Sequence, residues 1–177
     1  MNKLFIAILL CSTLLFSEEQ EMNLTSSSFQ HNQNIPEKYT CEGESLSPQL
    51  KWENYPKETK SFLLIMSDPD AKGGVWNHWI LYNIPLSVTS IKEGVAIPKG
   101  AKIAEATNKE KSYIAPCPPK GSGLHKYQFT IYALDIEELH PKSLQRVEIE
   151  KAMQGHLLST STLIGNFKRE KSFFFFF

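Results

Sequence analysis

Three runs of this chain, SFLLIM (Ser61–Met66), WNHWILYNI (Trp76–Ile84) and HKYQFTIYAL (His125–Leu134), are strand-like and carry large side chains at successive positions. They are rich in aromatic and β-branched residues and bounded by Pro, Gly, Asp and Asn. A strand with one wet face alternates apolar with polar, whereas these are apolar on both faces, so they belong in the middle of a sheet covered on both sides. In the second run, alternation groups Trp76, His78, Ile80, Tyr82 and Ile84 on one face and Asn77, Trp79, Leu81 and Asn83 on the other. In the third, His125, Tyr127, Phe129 and Ile131 share a face. Both His78 and His125 therefore sit near strand ends and point the same way as core residues.

One helical stripe stands out, Val147 to Leu158, where Ile149, Ala152, Met153, His156 and Leu157 recur at three- and four-residue steps. A final strand is expected from Ser161 to Phe167. Many strands with one late helix exclude a βαβ alternation and predict a mainly β, largely antiparallel fold with small helical additions.

With 177 residues, 41% of them hydrophobic and 21% charged, the chain is that of one globular domain. Basic and acidic residues number 19 each, without a long block of either sign, which argues against nucleic acid as a partner. Residues 1–17 differ: a short basic start, a largely apolar stretch of thirteen residues from Leu4 to Phe16, then SEEQE. Such a stretch rises about 20 Å as a helix, short of the ~30 Å hydrocarbon core. It reads as a secretory signal peptide cleaved near Ser17, with an uncleaved anchor as the alternative, and predicts a periplasmic or secreted mature protein without a membrane span. Two cysteines then remain, Cys41 and Cys117, either as one disulfide or as two small buried thiols. The chain ends in five phenylalanines, and residues 168–177 read as a tail beyond the fold.

Two loop–strand junctions concentrate chemistry. Asp68-Pro69-Asp70 ends the first run, with His78 at the start of the next. The loop APCPPKGSGL, stiffened by prolines and turned by Gly121 and Gly123, leads into His125 and Tyr127. A cavity between these junctions suits a phosphate or carboxylate: imidazole N–H groups and the tyrosine hydroxyl donate, while Asp68 and Asp70 orient the rings, His78 in particular. Catalysis finds less support. The two histidines and a carboxylate lack metal-site spacing, there is no G-x-S-x-G elbow, and Ser122 has no base at a recognisable offset. No catalytic residue, metal ligand or cofactor is assigned.

DPDA, then W-x-HW-x-x-YNIP, then PCPPKGSGLHKY-x-F-x-x-YALD occur in an order that resembles the phosphatidylethanolamine-binding protein family, particularly its bacterial Raf-kinase-inhibitor-like branch. IPEKYTCEGESLSPQLKW and AMQGHLLSTSTLIGNF are similar to that branch as well, so the likeness runs from Asn23 to Phe167. It implies one domain over residues 23–167, a large central antiparallel sheet packed on a smaller one, with peripheral helices. It also implies a small anion pocket, for phosphate or a phospholipid head group such as phosphorylethanolamine, formed by Asp68, Asp70, Trp76, His78, Cys117, Pro119, His125 and Tyr127. Departures at Lys72, Ala115 and Thr107–Lys111 fall on the rim of that pocket. The expectation is a non-catalytic binding protein that modulates a partner protein or acts alone. The rivals are a protease or kinase inhibitor-type interaction protein and, further off, a histidine-based metal-dependent or hydrolytic enzyme.

Overall fold

A computed structural model describes residues 21–170; the signal-like segment and the terminal phenylalanines lie outside the described residues. In chain order the strands are β1 (Asn23–Thr25), β2 (Gln33–Asn34), β3 (Leu50–Glu53), β4 (Ser61–Asp68), β5 (Trp76–Pro85), β6 (Ser90–Ile91), β7 (Lys102–Ile103), β8 (His125–Leu134) and β9 (Leu157–Phe167). A 3-10 turn covers Glu37–Tyr39, and one helix, α1, covers Arg146–Met153. Six strands form the large sheet in the order β2-β9-β8-β4-β5-β7, and three form a small one in the order β1-β3-β6. Every pairing is antiparallel except the short β2–β9 contact. The mainly β architecture read from the sequence is the one observed.

β4 lies between β5 and β8, and each of its residues is buried. Its two faces enter different apolar clusters. Phe62, Leu64 and Met66 pack with Leu50 and Trp52 of the small sheet and with Phe129 and Ile131 of β8. Leu63 and Ile65 pack with Ile80, Tyr82, Leu139 and Ile149, the last from α1. Each fully buried side chain of this size contributes about 1.5–3 kcal/mol relative to exposure, so both coverings are needed to hold the strand.

Simple alternation fails twice along β5, for one reason. The register against β4 shifts between the pairs Phe62↔Ile84 and Leu64↔Leu81, and again between Met66↔Trp79 and Ser67↔Asn77. Each shift places an extra residue in β5, a bulge that turns the following side chains to the opposite face. Ile84 consequently joins the cluster between the sheets, away from Ile80 and Tyr82. His78 likewise leaves their face and packs edge to face on Tyr127, with ring centroids 5.2 Å apart. The left-handed backbone of Asn83 (φ 53°) marks the first bulge, and its buried amide bonds Leu139 in both directions, at 2.7 and 3.2 Å.

The helix is shorter than its stripe. Gly155, with φ 83°, ends it, and β9 begins at Leu157, pairing with β8 from Leu134 onward. His156 therefore leaves the helical stripe and meets Asp135 at 2.8 Å. Arg169, expected to lie in a tail beyond the fold, contacts the domain. The Arg169 carbonyl accepts the Gly121 N–H at 2.8 Å, and its guanidinium reaches Glu42 at 3.1 Å.

Asn83→Ala is expected to lower stability by about 2–4 kcal/mol in urea unfolding, because two buried backbone groups of Leu139 lose their partner and alanine disfavours a positive φ. Asn83→Gly, which tolerates that backbone, should recover only a minor part.

Candidate functional site

The cavity opens at the end of the sheet where β4 stops and β5 and β8 begin. It measures about 280 Å³. Asp68, His78, His125 and Tyr127 form its inner wall; Cys117, Pro118 and Pro119 close one side; Trp76, Ala71 and Lys72 stand at the mouth. The structure thus brings together seven of the eight residues expected from the sequence. Asp70 is the exception.

Asp68 ties the inner wall together. It is only 3% exposed. Its Oδ2 takes His125 Nδ1–H at 2.7 Å, and its Oδ1 takes the Asp70 backbone N–H at 2.9 Å. Pro69 forces the chain out of the ladder here, and the Asp68 side chain replaces the lost strand partner with a local turn bond. Asp70 points elsewhere: its Oδ2 accepts the Lys126 N–H at 2.8 Å and so continues the β4–β8 pairing past the last ladder pair. It fastens the strand ends without lining the cavity.

His78 is oriented by the backbone, contrary to the expectation that the aspartates hold it. Its Nδ1–H donates to the Ile114 carbonyl at 2.9 Å, while the Ile114 N–H returns a bond to the His78 carbonyl at 3.0 Å. Burial pushes its pKa below the ordinary histidine value, partly opposed by the Ile114 contact and by Asp68. His125 has both ring nitrogens engaged, Nδ1 by Asp68 and Nε2 by the Ser122 hydroxyl at 2.9 Å. Its ring stacks on Tyr127 at 6.4 Å. Tyr127 is wholly buried; its hydroxyl lies near the Asp68 carboxylate but makes no hydrogen bond of regular geometry among the described residues. Burial, reinforced by the negative charge of Asp68, pushes its pKa up, so the hydroxyl keeps its proton.

Cys41 and Cys117 are joined in a disulfide, with Cα atoms 5.4 Å apart and a sequence separation of 76. The bond settles the alternative the sequence left open and pins the proline loop to the segment after the 3-10 turn. Cys41 N–H also donates to the Pro116 carbonyl at 3.1 Å. Arg169 reaches Cys117 Sγ at 3.4 Å from outside.

Sequence reading missed Ser122 and Ile114. Ser122 carried a signal, a hydroxyl between two glycines three residues before a histidine, and its partner is that histidine. Ile114 acts through its backbone, which no side-chain pattern reveals.

A family model described as phosphatidylethanolamine-binding protein matches residues 25–168. The chain belongs to the phosphatidylethanolamine-binding protein family. A UPF0098 protein of Pyrococcus horikoshii is 42% identical over 159 residues, covering 86% of this chain and 80% of that protein. A UPF0098 protein of Aquifex aeolicus is 39% identical over 153 residues, covering 84% and 90%. Among solved structures, the phosphatidylethanolamine-binding protein homologue of Chlamydia trachomatis aligns with a TM-score of 0.78 at 36% identity, over 85% of this chain and 99% of that one. YbcL of E. coli, described as a member of the mammalian family, aligns with a TM-score of 0.79 at 27% identity, over 85% and 100%.

Because His78 has a lower pKa folded than unfolded, the unfolded chain binds the extra proton first as pH falls. Its contribution to stability is whole above about pH 6.5 and declines below it. Thermal unfolding in phosphate-free buffer should show a shallower loss of melting temperature between pH 6.5 and 5 in His78→Gln than in wild type. Reduction of the disulfide should lower stability by up to about 4 kcal/mol, measured as a shift of the urea midpoint with and without a phosphine reductant.

Proposed function

We propose that this protein is a non-catalytic binding protein whose cavity takes one small ligand carrying a phosphate or carboxylate group. The observation that carries this reading is the Tyr127 hydroxyl. A fully buried hydroxyl without a partner costs about 1–3 kcal/mol, and a ligand oxygen in the cavity would remove that penalty. Held in its protonated form beside the Asp68 carboxylate, Tyr127 keeps a proton that it can donate. The volume of about 280 Å³ matches a head group or a small metabolite. Lys72 at the mouth supplies a positive charge toward an incoming anion, and family membership supports a binding role of this type.

Ser122, His125 and Asp68 do stand in the order of a Ser–His–Asp relay. Two amides beside Ser122 that could hold an oxyanion are engaged, however. Ser122 N–H donates to the Pro119 carbonyl at 3.0 Å and Gly121 N–H to Arg169. The relay therefore supports a fixed wall more than a nucleophile. The proposed setting is the periplasm or the extracellular space, which the leader-like start of the chain and the cysteine pair both favour.

Tyr127→Phe separates binding from folding. It should weaken phosphate binding about tenfold by calorimetry, the loss of one hydrogen bond, while leaving thermal stability equal or higher because a buried unsatisfied group is gone. Equal affinity in wild type and variant would sink the pocket reading.

A further inference from the structure

The groups around the cavity do not match a fully deprotonated anion. A carbonyl oxygen only accepts, so the Ile114 contact fixes the His78 proton on Nδ1. His78 Nε2 then presents a lone pair, with no protein partner among the described residues. Both nitrogens of His125 are engaged, and the Asp68 carboxylate adds acceptor character beside it. The inner wall thus offers one donor, Tyr127, next to one acceptor, His78 Nε2, while the ammonium of Lys72 and the indole N–H of Trp76 stand at the mouth. A ligand oxygen without a hydrogen meets Tyr127 well but faces His78 lone pair to lone pair. A group that carries an acidic O–H beside a bare oxygen, such as P(=O)–OH, satisfies both.

We propose that the site binds its anion together with one proton, held between His78 Nε2 and a ligand oxygen, and so prefers phosphate monoesters and free phosphate in monoanionic form over phosphodiesters. This rests on the anion-pocket reading above. The proton comes from solvent and no bond other than this hydrogen bond forms. A monoester can bring the proton itself, whereas a diester has none to offer. A diester can bind only if His78 becomes an imidazolium inside the wall. The groups that face His78 set the cost of that alternative. Asp68 from β4 favours the charge, whereas His125 from β8 and burial oppose it. Tyr127 faces it as a neutral donor and Lys72 stands at the mouth; the proline loop contributes only backbone and the Cys117 sulfur.

Calorimetric titration in buffers of different ionisation enthalpy reads the protons taken up per ligand. The probes are inorganic phosphate, phosphorylethanolamine, the diester glycerophosphorylethanolamine with the same ammonium group, and phosphatidylethanolamine vesicles. The second ionisation of a phosphate monoester lies near pH 6, so phosphorylethanolamine should bind at pH 8 with uptake of about one proton and at pH 5 with almost none. The diester and the vesicles should bind at least about tenfold more weakly at pH 8. In H78Q the amide supplies its own N–H, and uptake should fall below about half a proton. Binding without uptake at pH 8, a diester or vesicle as tight as the monoester, or full uptake retained in H78Q would each overturn the proposal. If none of the probes binds, the pocket reading itself falls and the proton linkage with it.

Discussion

A carboxylate at the end of a strand buried along its whole length has to be answered largely from within the protein, because little of it reaches water. Asp68 is that carboxylate, and the geometry of the site follows from how it is answered. One oxygen holds the imidazole of His125, whose far nitrogen meets Ser122 and thereby sets the turn of the Gly121–Gly123 loop. The other oxygen holds the Asp70 amide, and the Asp70 side chain reaches across to Lys126. Between these two bonds the start of β8 is fixed in both position and direction. Tyr127, two residues along, takes its orientation from the same constraint.

The cavity is less an addition to the fold than the place where the inter-sheet core stops being apolar. Tyr127 belongs to that core by its ring and to the cavity by its hydroxyl. His78 reaches the same face only because of the second bulge in β5, without which it would lie with Ile80 on the side covered by α1. A one-residue irregularity in strand pairing therefore decides whether there is a polar wall at all.

Much of this was legible in the sequence, and the reasons differ from residue to residue. Two-sided burial of β4 could be read because the unbroken apolar run from Phe62 to Met66 admits few other placements. His125 and Tyr127 could be placed because alternation in β8 runs unbroken through His125, Tyr127, Phe129 and Ile131. The faces of His78 and Ile84 could not, because a bulge depends on the partner strand's register and leaves no mark in local periodicity. The role of Asp70 was misread for a related reason: two acids flanking a proline look equivalent, but the turn at Pro69 sends the second one outward to Lys126. The end of α1 was overrun because the apolar spacing continues through Gly155 into residues that belong to β9.

The bonds that shape the cavity join distant parts of the chain. Asp68 and His125 are 57 residues apart, Cys41 and Cys117 are 76 apart, and Arg169 closes onto Glu42 across 127. Contacts of such separation form late, since each must first overcome the entropy of closing a long loop. The last of them depends on residues near the end of the described chain. The cavity is in this sense a completion signal: a chain emerging stepwise, or one with its sheet half zipped, lacks the contacts that shape it. A ligand bound there would favour the finished fold over partly assembled forms, through contacts that join distant parts of the chain.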